Sequence, residues 1–185
     1  MPNKLDFKKQ DKDLYAPGKA PELIAVPPMT FTIKMSKMGA YQPEGYTDYV
    51  LPPLEGFWWS EGRALDWHAP RESWLWTSVI RQPDFVTQET FDWAREECRR
   101  KKPEVDVESV RRIVYEEGLC VQMLHVGPYA GEAVTLARMD AFIVDNGLVS
   151  ELGDVRKHHE IYMGDPRKTA PERLKTILRH PVRQK

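Results

Sequence analysis

An α+β fold with a mainly antiparallel sheet is what this sequence predicts, on three observations. Aromatic and β-branched runs recur with alternating polarity, two segments carry apolar residues at helical spacing between a cap and a stop, and the intervening stretches hold enough Gly and Pro to forbid long helices. At 185 residues, with 41% hydrophobic and 30% charged residues, the chain suits one ordinary globular core. We read residues 1–185 as a single domain: an N-terminal arm over 1–26, a first half over 27–102 and a second half over 103–185.

The arm is polar and carries Pro17, Gly18 and Pro21, so it is expected to pack on the surface with little chemistry. A first strand follows over Met29 to Met35. Between Ser36 and Gly56, Gly39, Pro43, Gly45, Pro52 and Pro53 break any helix, which predicts an ordered loop that ends in a short strand. Phe57 to Trp59 and Ser73 to Arg81 read as strands, and alternation puts Trp74 and Trp76 on one face. Thr87 is positioned to cap a helix that runs through Phe91, Ala94 and Cys98 to Lys102, with Pro103 as its stop.

In the second half, residues 111–126 read as two strands of a tight hairpin around Glu117 and Gly118. Leu136, Met139, Phe142 and Ile143 line one stripe of a helix over Glu132 to Asn146, and Gly147 closes it because glycine accepts the left-handed cap conformation. Residues 158–166 form a strand broken by Gly164 and Pro166. Thr169 and Glu172 have capping-box spacing for a single turn before a last strand over Leu174 to Arg179. The helices are expected on one side of the sheet. The second half thus runs strand, helix, strand, strand, and the first half is compatible with a degenerate copy of that unit.

Several function classes are disfavoured by composition. The 27 basic and 28 acidic residues nearly cancel and form no long block of one sign, which argues against direct nucleic-acid binding or an anionic membrane partner. The charged opening lacks the apolar stretch of a signal peptide and no run is long enough to cross a bilayer, so a cytoplasmic location is expected. Cys98 and Cys120 lack any partner spacing and read as reduced structural thiols. No Gly-rich phosphate loop, nucleophile elbow or zinc-like histidine spacing is present, and neither a cofactor nor a metal is expected.

Two carboxylates draw interest. On a strand, His158, Glu160 and Tyr162 face one way while His159 and Ile161 face the other. A carboxylate beside aromatic walls loses hydration, which suits it to acid or base work near neutral pH or to pairing with a cationic ligand; the bland alternative is a salt-bridged surface Glu. Glu132 stands at a helix start after Tyr129, where the helix dipole favours its charge, and it also reads simply as a helix-start residue. Together the two permit separate acid and base roles. Four of the six tryptophans, Trp58, Trp59, Trp74 and Trp76, crowd into one short span, as core or as pocket wall.

Residues 4–15 (KLDFKKQDKDLY), 32–37 (TIKMSK), 49–59 (YVLPPLEGFWW), 74–86 (WLWTSVIRQPDFV), 116–135 (EEGLCVQMLHVGPYAGEAVT) and 158–179 (HHEIYMGDPRKTAPERLKTILR) together resemble the GyrI-like small-molecule-binding proteins, in their stand-alone branch of cyclopropanoid hydrolases. The resemblance implies a duplicated strand-helix-strand-strand unit of the SHS2 type, with an aromatic cleft and a glutamate at its floor. It implies binding of bulky hydrophobic, polycyclic or cationic compounds, and hydrolysis of the cyclopropane ring in DNA-alkylating natural products, a detoxification. By this likeness Glu160 is the pocket glutamate and Glu132 a second functional carboxylate, with Tyr129, Tyr162, Trp58 and Trp59 as ligand-binding walls. The alternative function is a non-catalytic multidrug-binding or sequestering protein. One departure from the pattern follows Phe31, where the rest of a strand, a loop and the first helix are missing. The first repeat is thereby shortened, and a homodimer is one way to restore the missing wall.

Overall fold

A computed structural model describes residues 4–32, 43–62, 65, 69–70 and 73–185. In chain order the elements are two short helices, α1 (Phe7–Gln10) and α2 (Lys12–Tyr15), then strands β1 (Glu22–Val26), β2 (Met29–Thr32), β3 (Leu54–Trp59) and β4 (Leu75–Gln82). Helix α3 (Gln88–Lys101), β5 (Ile113–Tyr115) and β6 (Gly118–Val126) come next. A 3-10 turn (Tyr129–Gly131), α4 (Glu132–Asp145), β7 (Leu148–Ser150), β8 (His158–Tyr162), a second 3-10 turn (Pro171–Arg173) and β9 (Lys175–Gln184) complete the chain.

The sheet is antiparallel throughout, in the order β1-β6-β9-β8-β3-β4-β2-β5, with β7 added on β9. Two equivalent triplets, β6-β9-β8 and β2-β4-β3, meet back to back at the β8–β3 seam, which is the order a duplicated unit predicts. Each triplet is extended by a strand from the other half: β1 pairs with β6, and β5 pairs with β2. Two residues join β1 to β2, and two join β5 to β6. The sheet must therefore curl to bring its ends together. The hairpin expected around Glu117 and Gly118 does not form, because β5 and β6 each find a different partner. Gly118, at φ +63°, serves instead to turn the chain from one triplet to the other.

Alternation along the strands gives the sheet two buried faces. One packs Ile161, Ile177, Phe57, Val79, Cys120 and Phe31 against Phe7, Leu14 and Tyr15 of the arm. The other packs Val121, Met123, Leu178 and Val182 against Leu136, Met139 and Ile143 of α4. Helical segments thus cover both faces rather than one. The arm is part of the core, contrary to the surface role expected of it: its few apolar residues are spaced to point inward, and its polar ones face water. Each such buried side chain contributes on the order of 2 kcal/mol by transfer from water.

Thr87 caps α3 as expected, its hydroxyl accepting from the Thr90 amide at 3.2 Å. Gly147 takes φ +64° at the end of α4. The capping box at Thr169 and Glu172 is not made; the 3-10 turn there has no side-chain cap. The last strand runs on to Gln184, well past the expected Arg179. Residues 43–53 contain no helix, in keeping with the loop expected there, while residues 33–42, with the end of the strand expected to reach Met35 and the start of that loop, lie outside the described residues.

Candidate functional site

The face that α4 covers over β6 and β9 continues, beyond that helix, across β8 and β3. Register puts Leu54 opposite Tyr162, Gly56 opposite Glu160 and Trp58 opposite His158. Paired residues of an antiparallel ladder share a face, so these six stand on one side of the sheet, and Leu54 and Tyr162 at one end of the row line a cleft. Tyr162 reaches back along its own strand and donates its hydroxyl to Glu160 Oε2 at 2.8 Å. The same hydroxyl accepts from the Trp58 indole N–H at 3.2 Å. The second carboxylate oxygen, Oε1, lies 3.2 Å from His158 Nε2. Glu160 is therefore gripped at both oxygens by groups from its own strand.

Gly56 is what allows this crowding. A Cβ at that position would lie 2.8 Å from Trp58 Nε1 and 3.0 Å from the Tyr162 hydroxyl. Only a residue without one leaves room for the indole and phenol to meet over the strand.

The opposite wall comes from the start of α4. Tyr129 meets Tyr162 edge to face, with ring centroids 6.0 Å apart. Glu132, at the first position of the helix, is buried with only 5% of its surface exposed, where the helix end favours a negative charge. Burial raises the pKa of Tyr129, and the nearby carboxylates Glu132 and Glu160 raise it further. Tyr162 is raised far more, by burial first and by Glu160 next. Both phenols are thus held protonated, as donors. Both carboxylates act on both tyrosines, which makes these four groups one electrostatic unit.

Behind Glu160, His158 meets His180 edge to face at 4.9 Å. Full burial keeps His180 uncharged, lowering its pKa to about 4. On the same face, Trp58 stacks with Trp76 at 5.4 Å and contacts Trp74 edge on at 6.2 Å; Trp76 is 56% exposed. A cleft of about 620 Å3 leads away from Tyr129 and Tyr162 between Pro52, Leu54, Met163 and Pro166.

Of the residues singled out in the sequence, Glu160, Glu132, Tyr129, Tyr162 and Trp58 come together. Trp59 does not. Next to Trp58 on β3, it points to the other side of the sheet, where Lys157 Nζ lies 4.7 Å from its ring. Consecutive strand residues alternate faces, so Trp58 and Trp59 cannot line one cleft. His158 and Gly56 were not foreseen as site residues; period-two alternation places His158 beside Glu160, but nothing in the sequence marks Gly56. Among the described residues no group of three or more His, Cys, Asp or Glu is arranged to hold a metal, and no helix is long and apolar enough to cross a membrane.

The reverse face of the same strands carries a buried ionic cluster. His159 lies 2.9 Å from Glu55 on β3 and 2.9 Å from Glu117 before β6. Arg179 pairs with Glu117 at 3.1 Å, bonds Gln122 at 3.0 Å and donates to the Leu14 carbonyl of the arm. Tyr15 donates to Glu55 at 3.2 Å. Burial alone would discharge His159, but Glu117 and Glu55 outweigh it and raise its pKa to about 9. Burial likewise opposes the charge on Glu117, yet His159 and Arg179 lower its pKa to about 2. This cluster straddles the β8–β3 seam directly beneath the cleft and fixes the strand that presents Glu160.

An uncharacterized conserved protein from Listeria innocua, of known structure, is 50% identical and superposes with a TM-score of 0.90, over 97% of this chain and all of its own. Two Listeria innocua proteins described as hydrolases are 47% and 48% identical, with TM-scores of 0.86 and 0.87, over 97% and 98% of this chain and the whole of theirs. No functionally curated protein matches the chain. The profile of the GyrI-like small molecule binding domain matches residues 46–183, which take in β3 to β8, nearly all of β9, and Glu160, Glu132, Tyr129, Tyr162 and Trp58. With that match covering most of its length, the chain belongs to the GyrI-like small-molecule-binding family.

Proposed function

We propose that this protein binds bulky, largely apolar polycyclic molecules in the aromatic cleft and hydrolyses a strained cyclopropane ring in them, with Glu160 and Glu132 as its functional carboxylates. The observation that carries the reading is the convergence of two buried carboxylates and two protonated tyrosines at an aromatic wall. A mere binding surface for apolar rings does not require two desolvated acids. The hydrolase descriptions of two relatives at nearly half identity support the same reading.

In this reaction Glu160 takes a proton from a water as the water oxygen bonds to the ring methylene. The carbon–carbon bond of the cyclopropane breaks, and its electron pair moves through the conjugated system onto the carbonyl oxygen. The Tyr129 hydroxyl donates a hydrogen bond to that oxygen as its charge develops, and the proton taken from water is finally delivered there. The product is the substrate plus one water. Trp58 and Trp76 supply flat apolar contact on the same face. For an alkylating natural product, ring opening removes the electrophile, so the biological outcome is protection of DNA in the cytoplasm.

The reading separates from simple sequestration by kinetics. Glu160→Gln is expected to lower kcat by on the order of 100-fold or more while leaving the affinity for a neutral ligand within a few-fold. If the parent protein binds such a ligand without turnover, and Glu160→Gln weakens only cationic ligands, the protein is a multidrug-binding or sequestering module instead.

A further inference from the structure

His125 lies at the end of β6, buried, with 6% of its surface exposed. In register it pairs with Thr176 of β9, which in turn pairs with Tyr162 of β8. The three residues form one row across the sheet, and His125 is its end beneath the loop that carries Tyr129. Its Nδ1 lies 2.8 Å from the Thr135 hydroxyl on α4, and its Nε2 lies 3.2 Å from the Pro128 carbonyl. A carbonyl can only accept, so Nε2 donates to Pro128, while Nδ1 and the Thr135 hydroxyl share the second hydrogen bond. One imidazole therefore ties β6 to the residue before Tyr129 and to the helix that begins at Glu132.

The loop packs on this ring: a Cβ at Gly127 would lie 3.5 Å from His125 Nε2 and one at Gly131 3.6 Å from Cε1, both at ordinary van der Waals contact. Gly127 also has φ +140°, which an L side chain rarely adopts, and its amide donates to the Leu174 carbonyl at 3.0 Å. Thr135 stands three residues after Glu132, on the same side of the helix. Fixing Thr135 therefore fixes the rotation of the first turn about its axis and, with it, the direction of the Glu132 carboxylate.

We infer that His125 is a positioning residue: through Pro128 and Thr135 it sets Tyr129 and Glu132 against Glu160 and Tyr162, without touching the ligand itself. The inference rests on the proposed reading of the cleft and adds to it the device that holds its two walls in register. Catalytic groups lose rate steeply when misplaced by about 1 Å, on the order of 100-fold.

The test uses Thr135→Val, which removes the hydroxyl at nearly constant volume, Thr135→Ser, which restores it, and His125→Gln. Each is measured alone and combined with Glu132→Gln. With a cyclopropane-fused dienone as probe, Thr135→Val and His125→Gln are expected to lower kcat about tenfold or more with KM little changed. Thr135→Ser is expected to recover most of the parent rate, and the Thr135→Val defect is expected to shrink to within about twofold once Glu132 is already Gln, with that of His125→Gln shrinking in part because its link to Tyr129 remains broken. A Thr135→Val loss that simply multiplies with Glu132→Gln, or losses that follow thermal stability across the variants, would show a structural residue only and overturn the inference. If the parent turns over no probe, the proposed hydrolysis fails; the same cycle is then read on the dissociation constant from tryptophan fluorescence, where coupling to Glu132 supports the inference and its absence rejects it.

Discussion

The Tyr162 hydroxyl sits 2.8 Å from Glu160 Oε2 while accepting from the Trp58 indole 3.2 Å away. The order of donation is fixed by chemistry, because an indole N–H cannot accept and a carboxylate cannot donate. Trp58 thus aims the phenol, and the phenol aims the carboxylate. Tyr162→Phe is expected to lower turnover about tenfold with unfolding little altered, and Trp58→Phe to lower it less while also weakening ligand binding. Steady-state kinetics alongside thermal melts would check both; a Tyr162→Phe variant with the parent's rate would remove this chain from the account.

Gly56 carries a sharper expectation. Adding one methyl at this position places it 2.8 Å from Trp58 Nε1, so the indole, the phenol or the strand must shift. Gly56→Ala is expected to fold, to lose on the order of 1–3 kcal/mol of stability and to lose most of its turnover. A crystal structure or tryptophan emission spectrum of the variant would report the displaced Trp58. Full activity in Gly56→Ala would mean that the crowding has no functional role.

Stability should vary with pH through the cluster under the cleft. His159 is raised to about 9 in the fold, so the stability it contributes is complete below its unfolded value near 6.5 and is lost as pH climbs through 9. Glu117 is lowered to about 2, so its contribution is present above the ordinary carboxylate range and disappears as pH falls toward 2. His180 acts with the opposite sign to His159: held near 4 by burial, it costs stability as pH falls from 6.5 to 4. Thermal melts are expected to peak between about pH 6 and 8 and to decline on both sides. Glu117→Gln leaves two buried cations without their shared carboxylate and should cost about 3–5 kcal/mol. A flat melting profile from pH 7 to 10 would contradict the charge assigned to His159.

The arm supplies another test. Leu14 and Tyr15 are buried in the core formed with Phe57, Ile161 and Ile177. Leu14→Ala is expected to destabilise the protein by about 2–5 kcal/mol in chemical denaturation, and a change under about 0.5 kcal/mol would return the arm to the surface role its composition suggests.

That arm marks the limit of what was legible in the sequence. Period-two alternation correctly separated His158, Glu160 and Tyr162 from His159 and Ile161, and helical spacing located α3 and α4 to within a residue or two, because those patterns are local. Alternation also contradicts any pairing of Trp58 with Trp59 in one wall. The exchange of β1 and β5 between halves was not legible: the turn residues Glu117 and Gly118 suit a hairpin and a crossover equally, and the choice is made by distant partners. Nor was the burial of Glu55, Glu117 and Arg179, which lie far apart in sequence and meet only around His159. Gly56 and His125 matter through what packs on them, and no spacing announces that.

The most direct test of the central claim is the mass of the product formed from a cyclopropane-fused dienone in water enriched in oxygen-18, with the parent protein and with Glu160→Gln. The account predicts a ring-opened product heavier than the substrate by one labelled water, formed by the parent and slowed at least 100-fold in the variant while the variant still binds the substrate. Substrate that stays intact with the parent protein, or labelled product formed equally fast by Glu160→Gln, would contradict it.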